Sequence, residues 1–127
     1  MSRTYIDPSA EQFTKFEEMD LEGVVVMLNL LRFDPDGGKE RYSDYIKAAT
    51  PFLKKAGASM RFVGDVAATF IGGDEWDEVI LVEYPSRQAL LSMIGDPEYP
   101  HEMRESSLID SRLYCMRERQ EELAEET

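Results

Sequence analysis

Val24-Val25-Val26-Met27-Leu28-Asn29-Leu30-Leu31 is the stretch that decides the fold. It is nearly continuous in apolar character and rich in β-branched residues, the pattern of a strand covered on both faces and lying centrally in a sheet. One polar residue interrupts it. An unpaired amide there would cost roughly 1 to 3 kcal/mol, so Asn29 must be hydrogen-bonded. Two readings follow for Asn29: it satisfies backbone or a neighbouring side chain, or it faces a cavity between sheet and helices and orients a ligand.

Ahead of this strand, Asp7-Pro8-Ser9-Ala10-Glu11-Gln12-Phe13 reads as a helix start. Asp7 or Ser9 is the cap, Pro8 is tolerated in the first turn, and Gln12 stands three after Ser9 as a capping-box partner. Phe13, Phe16 and Met19 form a narrow apolar stripe, and Gly23 is placed to end the helix. Behind the strand, Asp34-Pro35-Asp36-Gly37-Gly38 is dense turn chemistry that must reverse the chain. From Tyr42 the apolar positions recur as Tyr45, Ile46, Ala49, Phe52, Leu53 and Ala56, a helical stripe stopped by Gly57. Pro51 falls inside it without shifting its phase, which predicts a bend rather than an end.

Further on, Met60, Phe62, Val66, Ala68 and Phe70 share one parity against Arg61, Asp65 and Thr69, predicting a half-buried strand with a bulge at Gly64. Gly72-Gly73-Asp74-Glu75 reads as a short hairpin loop leading into a strand from Trp76 to Tyr84, stopped by Pro85. Ser86 caps a helix carrying Ala89, Leu90, Met93 and Ile94 that ends at Gly95. Asp96 to Pro100 starts another helical turn, and Asp110 to Met116 is a last strand with Arg112, Tyr114 and Met116 alternating against Leu113 and Cys115.

The order strand, helix, strand, strand, helix, strand predicts an α+β fold: a ferredoxin-like βαββαβ domain with a four-stranded antiparallel sheet and an extra N-terminal helix. Residues 1–22 are read as the helical extension, 23–117 as the domain and 118–127 as an acidic tail forming a frayed helix. Helices cover one sheet face, and the apolar strands require a cover for the other. A second copy of the chain supplies it, giving a homodimer through the sheet face.

Charge narrows the partners. Against 26 Asp and Glu stand 14 Lys and Arg, a formal net charge of −12 that repels phosphate backbones and anionic lipid. Nucleic acid and membrane partners are therefore not expected. The N-terminus lacks the apolar core of a secretory signal, and the single cysteine, Cys115, cannot form an internal disulfide, which together predict a cytoplasmic protein.

One His and one Cys, with no HExxH, CxxC or Asp-rich calcium loop, give no transition-metal signal, and neither a dinucleotide fingerprint nor a phosphate loop nor a GxSxG elbow is present. No metal and no bound organic cofactor is expected. His101, the only histidine, is a candidate general base, because imidazole is the side chain suited to proton transfer near neutrality, against the alternative of a solvated surface residue. Tyr45, on the buried stripe, is a second proton-handling candidate. Arg32, Arg104 and Arg112 are candidates to gather around an anionic ligand, since guanidinium forks match carboxylates. Glu83, Asp110 and Asp77 are equally available to pair with them internally. Cys115 reads as packing.

Several local combinations line up in order: Met27-Leu28-Asn29-Leu30, Tyr45 with Ala49, Pro51 and Gly57, Glu83-Tyr84-Pro85-Ser86, and Asp96-Pro97-Glu98-Tyr99 followed by Arg104. From Val25 to Arg112 the chain resembles the family catalogued as domain of unknown function 1330 (DUF1330), a branch of the dimeric α+β barrel superfamily. The segment Pro8 to Asp20 is similar to the extension of one subgroup. The resemblance implies a ferredoxin-like protomer dimerising through its sheet, in a superfamily that includes cofactor-free monooxygenases, muconolactone isomerase and heme-degrading enzymes. It implies no particular reaction. Three functions are carried forward. The first is a cofactor-independent isomerase or monooxygenase acting on a small, anionic metabolite, with Asn29 and Arg112 orienting it and His101 or Tyr45 moving protons. The second is a non-catalytic dimeric ligand-binding or accessory protein. The third is heme binding, through Asn29, Trp76 and His101.

Overall fold

A computed structural model describes residues 4–121. The elements run α1 (Ala10–Glu18), β1 (Val25–Phe33), α2 (Gly38–Ala56), β2 (Ser59–Asp65), β3 (Glu78–Tyr84), α3 (Arg87–Ile94), α4 (His101–Ser107) and β4 (Leu108–Met116). Ser9 caps α1 through a capping box, its Oγ accepting from the Gln12 amide at 3.1 Å while Gln12 Oε1 accepts from the Ser9 amide at 3.2 Å. The strands make one antiparallel sheet in the order β2-β3-β1-β4. β1 is thus flanked on both sides, as its apolar run requires. This is the ferredoxin-like βαββαβ arrangement, with α1 added in front. The second helical segment is split into α3 and α4 because Pro97 and Pro100 withhold amide donors where the helix would continue.

Register assigns each strand residue to a face. Val25, Met27, Leu31 and Phe33 oppose or neighbour Ile80, Val82 and Tyr84, and these pack under the helices with Tyr42, Tyr45, Leu90 and Met93. The other face, called here the outer face, carries Val26, Leu28 and Leu30 beside Val79 and Leu81 on one flank and Tyr114 and Met116 on the other. Among the described residues no helix lies over it. Phe62 and Tyr114 are 53% and 51% exposed there.

The helix layer is locked to the sheet at one point of close approach. Gly37 turns the chain with φ 79°, and a Cβ on Gly38 would lie 2.5 Å from the Ser107 carbonyl oxygen. That same oxygen accepts from the Asp34 amide at 2.9 Å. Only glycine lets α2 begin against the end of α4.

The second strand departs from the sequence expectation. Its bulge lies between Met60 and Phe62 rather than at Gly64, so Met60 opposes Val82 and Phe62 opposes Leu81. The extra residue reverses the parity, leaving Met60 on the helix side and Phe62 on the outer face, where its ring lies over Gly64. β2 stops at Asp65 instead of running to Phe70. Residues 66–77 form a loop rather than a tight hairpin, closed at its base by a 2.9 Å bond from the Val66 amide to the Asp77 carbonyl. β3 starts at Glu78, not Trp76, because the Asp77 carboxylate accepts from the Phe33 amide at 2.8 Å and takes the place of a ladder carbonyl.

Smaller differences concern the ends. α1 stops at Glu18, and Gly23, at φ 86°, turns the chain into β1. Residues 117–121 carry no helix, and the rest of the acidic tail, 122–127, lies outside the described residues.

Candidate functional site

Strand alternation places Arg32 of β1 and Arg112 of β4 on the outer face, and Trp76, arriving from the 66–77 loop, lies against both. The Arg32 guanidinium carbon is 5.5 Å from the centre of the Trp76 ring and that of Arg112 is 5.1 Å from it. Arg112 also stacks on Tyr5 at 4.8 Å. Two cations thus share one indole. Arg32 donates from Nε to the Glu75 carbonyl at 2.7 Å, with Nη2 on the same oxygen. Arg112 donates from Nη1 to Asp110 Oδ1 and to the Ser111 carbonyl, both at 2.7 Å.

Asp110 anchors this group. A bulge at Ile109 shifts the register between Arg32 and Phe33, which leaves Arg32 opposite Asp110 and Phe33 opposite Leu108. Oδ1 of Asp110 accepts from the amides of Tyr5 at 2.8 Å and Ser111 at 2.9 Å as well as from Arg112. Burial opposes ionisation of this carboxyl, but the Tyr5 amide, the Arg112 hydrogen bond and charge, and the Ser111 amide outweigh it and hold the group below its usual range. Of the other acidic partners anticipated for the arginines, Asp77 is engaged by Phe33 and Glu83 by Arg61.

A second group lies on the helix side of the sheet. The hydroxyls of Tyr45 and Tyr99 share a hydrogen bond, the Tyr42 ring packs 5.2 Å from that of Tyr45, and the His101 ring lies 4.8 Å from that of Tyr99. His101 Nε2 is 2.7 Å from the Ile94 carbonyl, so that nitrogen is the donor. Arg104 donates from Nη1 to the Ile6 carbonyl at 2.8 Å, pinning the N-terminal segment. Burial pushes the hydroxyls of Tyr42, Tyr45, Tyr84 and Tyr99 up, with Arg104 pulling back partly on three of them. They remain neutral at physiological pH.

Asn29 belongs to neither group. It has the helix-side parity, opposite Ile80 and Leu113, and its Nδ2 donates to the Ile80 carbonyl at 3.3 Å and the Met27 carbonyl at 3.5 Å. The fold therefore brings Arg32 and Arg112 together on the outer face and Tyr45, His101 and Arg104 together around Tyr99, with Trp76 and His101 on opposite sides of the sheet. Tyr99 and Tyr5 were missed by the sequence reading. A buried Tyr45 hydroxyl demands a polar partner, and that demand was the available signal for Tyr99; Tyr5 precedes the first capped helix and carries no periodic signal.

Among the described residues a concavity lies beside the N-terminal segment and α1, and another lies on the outer face. One of about 440 Å³ is lined by Tyr5, Asp7, Ser9, Glu11, Gln12 and Lys15. The other, about 400 Å³, is lined by Val26, Arg61, Leu81, Met116, Arg117 and Glu118. Between sheet and helices the space is occupied by Tyr45, Phe52, Met93 and Tyr99, all packed in the core. Among the described residues no three His, Cys, Asp or Glu side chains are grouped to hold a metal, and no helix is long and apolar enough to cross a membrane.

The whole arrangement superposes on RPA0582, a protein of unknown function from Rhodopseudomonas palustris, with a TM-score of 0.86 and 33% identity, covering 94% of this chain and all (100%) of that one. The chain belongs to the RPA0582 family. A structure of methylated RPA0582 gives the same result, with a TM-score of 0.85, 34% identity and coverage of 92% and 96%. Beyond the RPA0582 family, a dimeric ferredoxin-like protein of unknown function from Thermobifida fusca shares the fold, with a TM-score of 0.51, 9% identity and coverage of 74% of this chain and 90% of that one. No family model matches the chain, and no curated protein matches it.

Proposed function

We propose that the protein is a homodimeric small-molecule-binding protein that pairs through the outer sheet face and takes a small carboxylate-bearing ligand at Arg32, Trp76 and Arg112. The observation that carries this is two guanidinium groups on one indole with a single carboxylate, Asp110, beside them. Arg32 stacks on Trp76 and hydrogen-bonds only to a neutral carbonyl, and among the described residues no carboxylate lies within ion-pair distance of it. Its Nη1 and the Nη2 of Arg112 have no protein acceptor there, which leaves a donor on each fork for a bidentate anion.

Pairing rests on the outer face itself. Leu28, Leu30, Val79 and Leu81 form an apolar strip with Phe62 and Tyr114 half exposed beside it, and an uncovered patch of this kind marks an interaction surface. Two copies related by a two-fold axis cover it with itself. The description of the Thermobifida fusca protein as dimeric is consistent with such pairing. In this reading residues 23–117 form the binding domain, 1–22 an extension that contributes Tyr5, and 118–127 a tail. The ordered residue set from Val25 to Arg112 supports a place in the DUF1330 branch, and the single half-buried Cys115 suits a reducing cytoplasm.

Catalysis through Tyr45 and His101 has less support. The Tyr45 hydroxyl is buried and hydrogen-bonded to that of Tyr99, which leaves it no open side toward a substrate.

Thermal unfolding in the presence of a panel of mono- and dicarboxylates tests the reading. At least one should raise the midpoint of the wild type, and Arg32→Ala should weaken that ligand at least 10-fold while Tyr45→Phe leaves its affinity unchanged. A panel without effect at millimolar concentration, or full retention of binding by Arg32→Ala, would overturn it.

A further inference from the structure

We infer that the 66–77 loop is a docking arm, seating Phe70 and Ile71 on the outer face of a second copy of this chain at the margin of the apolar strip that the two copies bury against each other; this rests on the sheet-face pairing proposed above. Phe70 and Ile71 are adjacent and stand 97% and 87% exposed, far more than any other large apolar side chain among the described residues. Scattered exposed apolar residues are ordinary on a protein surface, but two neighbours almost wholly in water at one loop tip are not. The tip also stands clear of its own domain. A Cβ at Gly72 or at Gly73 would meet nothing within 4 Å.

The arm is anchored where it leaves the sheet. The Val66–Asp77 bond closes its base, the Asp77 amide donates to the Leu31 carbonyl at 2.8 Å, and Trp76 is held by Arg32 and Arg112. It therefore emerges from the rim of the face proposed to pair, with its apolar tip held out in solvent.

Charge decides among occupants. Residues 66–77 hold Asp74, Glu75 and Asp77 and no basic side chain, in a chain of net charge −12, so an anionic lipid surface would repel the arm. Of the arginines on the outer face, Arg61 and Arg112 already pair with Glu118 and Asp110, while Arg32 has no carboxylate within ion-pair distance among the described residues and is the cation an acidic arm complements. A two-fold pair satisfies both deficits at once, because each chain offers one uncovered apolar strip and one uncovered apolar tip.

Sedimentation equilibrium on the full chain tests this. The Phe70→Ser/Ile71→Ser double variant should raise the dimer dissociation constant at least 10-fold with an unchanged far-ultraviolet circular dichroism spectrum, and Tyr114→Asp, on the exposed part of the outer face, should give a monomer. A double variant that dimerises like the wild type while Tyr114→Asp is monomeric removes the arm from the interface and leaves the pairing reading standing. If neither variant changes the dimer, or the wild type is monomeric, both readings fail. Cosedimentation of the wild type with phosphatidylcholine vesicles, lost in the double variant, would make the arm a lipid anchor and overturn the inference.

Discussion

The hydroxyl groups of Tyr45 and Tyr99, 54 residues apart in sequence, satisfy each other inside the protein. Both side chains are buried, and no other hydrogen-bond partner reaches either oxygen among the described residues. Tyr45→Phe should therefore leave Tyr99 with an orphaned hydroxyl and cost about 1 to 3 kcal/mol, while Tyr45→Phe/Tyr99→Phe removes both partners and should regain most of that loss. A double-mutant cycle by urea unfolding measures the coupling. Additive single losses would show that the two hydroxyls find other partners.

Asp110 makes stability depend on acid. Its carboxyl is held below its usual range in the fold, so the stabilisation is present above the unfolded value, near pH 3.9, and is lost as pH falls through the folded one. Asp110→Asn should cost about 2 kcal/mol at pH 7, because charge-assisted bonds to Arg112 and to the Tyr5 and Ser111 amides weaken. The gap between variant and wild type should narrow below about pH 4. A gap that stays constant from pH 7 to pH 3 would sink this account.

Asn29 donates two long hydrogen bonds to strand carbonyls and accepts none from the described residues. Asn29→Leu should alter stability by less than about 1 kcal/mol, since carbonyls tolerate the loss of a weak donor better than amides tolerate the loss of an acceptor. Asn29→Asp places a carboxylate against the same carbonyl oxygens and should cost about 2 kcal/mol at neutral pH. Repulsion by those oxygens should favour the protonated form of the new carboxyl, so its deficit should shrink as pH falls. Guanidinium unfolding of both variants at pH 7 and pH 4 separates these outcomes.

The elements that punctuate themselves locally were legible in the sequence. Ser9 and Ser86 cap their helices, Gly57 and Gly95 end theirs, and the apolar run around Met27 became the inner strand β1, because each of these signals acts within a few residues. β2 was not legible in detail. A bulge of one residue between Met60 and Phe62 inverts every assignment beyond it, and nothing in that stretch distinguishes Arg61 from Gly64 as its place. In the candidate site, Arg32 and Arg112 could be grouped from strand parity and charge. Trp76, read as the first residue of a strand, could not be joined to them, because its position depends on how far the preceding loop runs. The link from Tyr45 through Tyr99 to His101 joins α2 to the start of α4, and periodicity within one helix carries no information about the other.

Arg61 belongs to one margin of the sheet and Glu118 follows the strand at the other, yet the two meet at 2.6 Å across the outer face. A charged clasp thus links the two margins over the two strands between them. Both side chains are well exposed, so the clasp weakens as salt rises. Raising ionic strength should therefore release this tie between the two margins of the sheet.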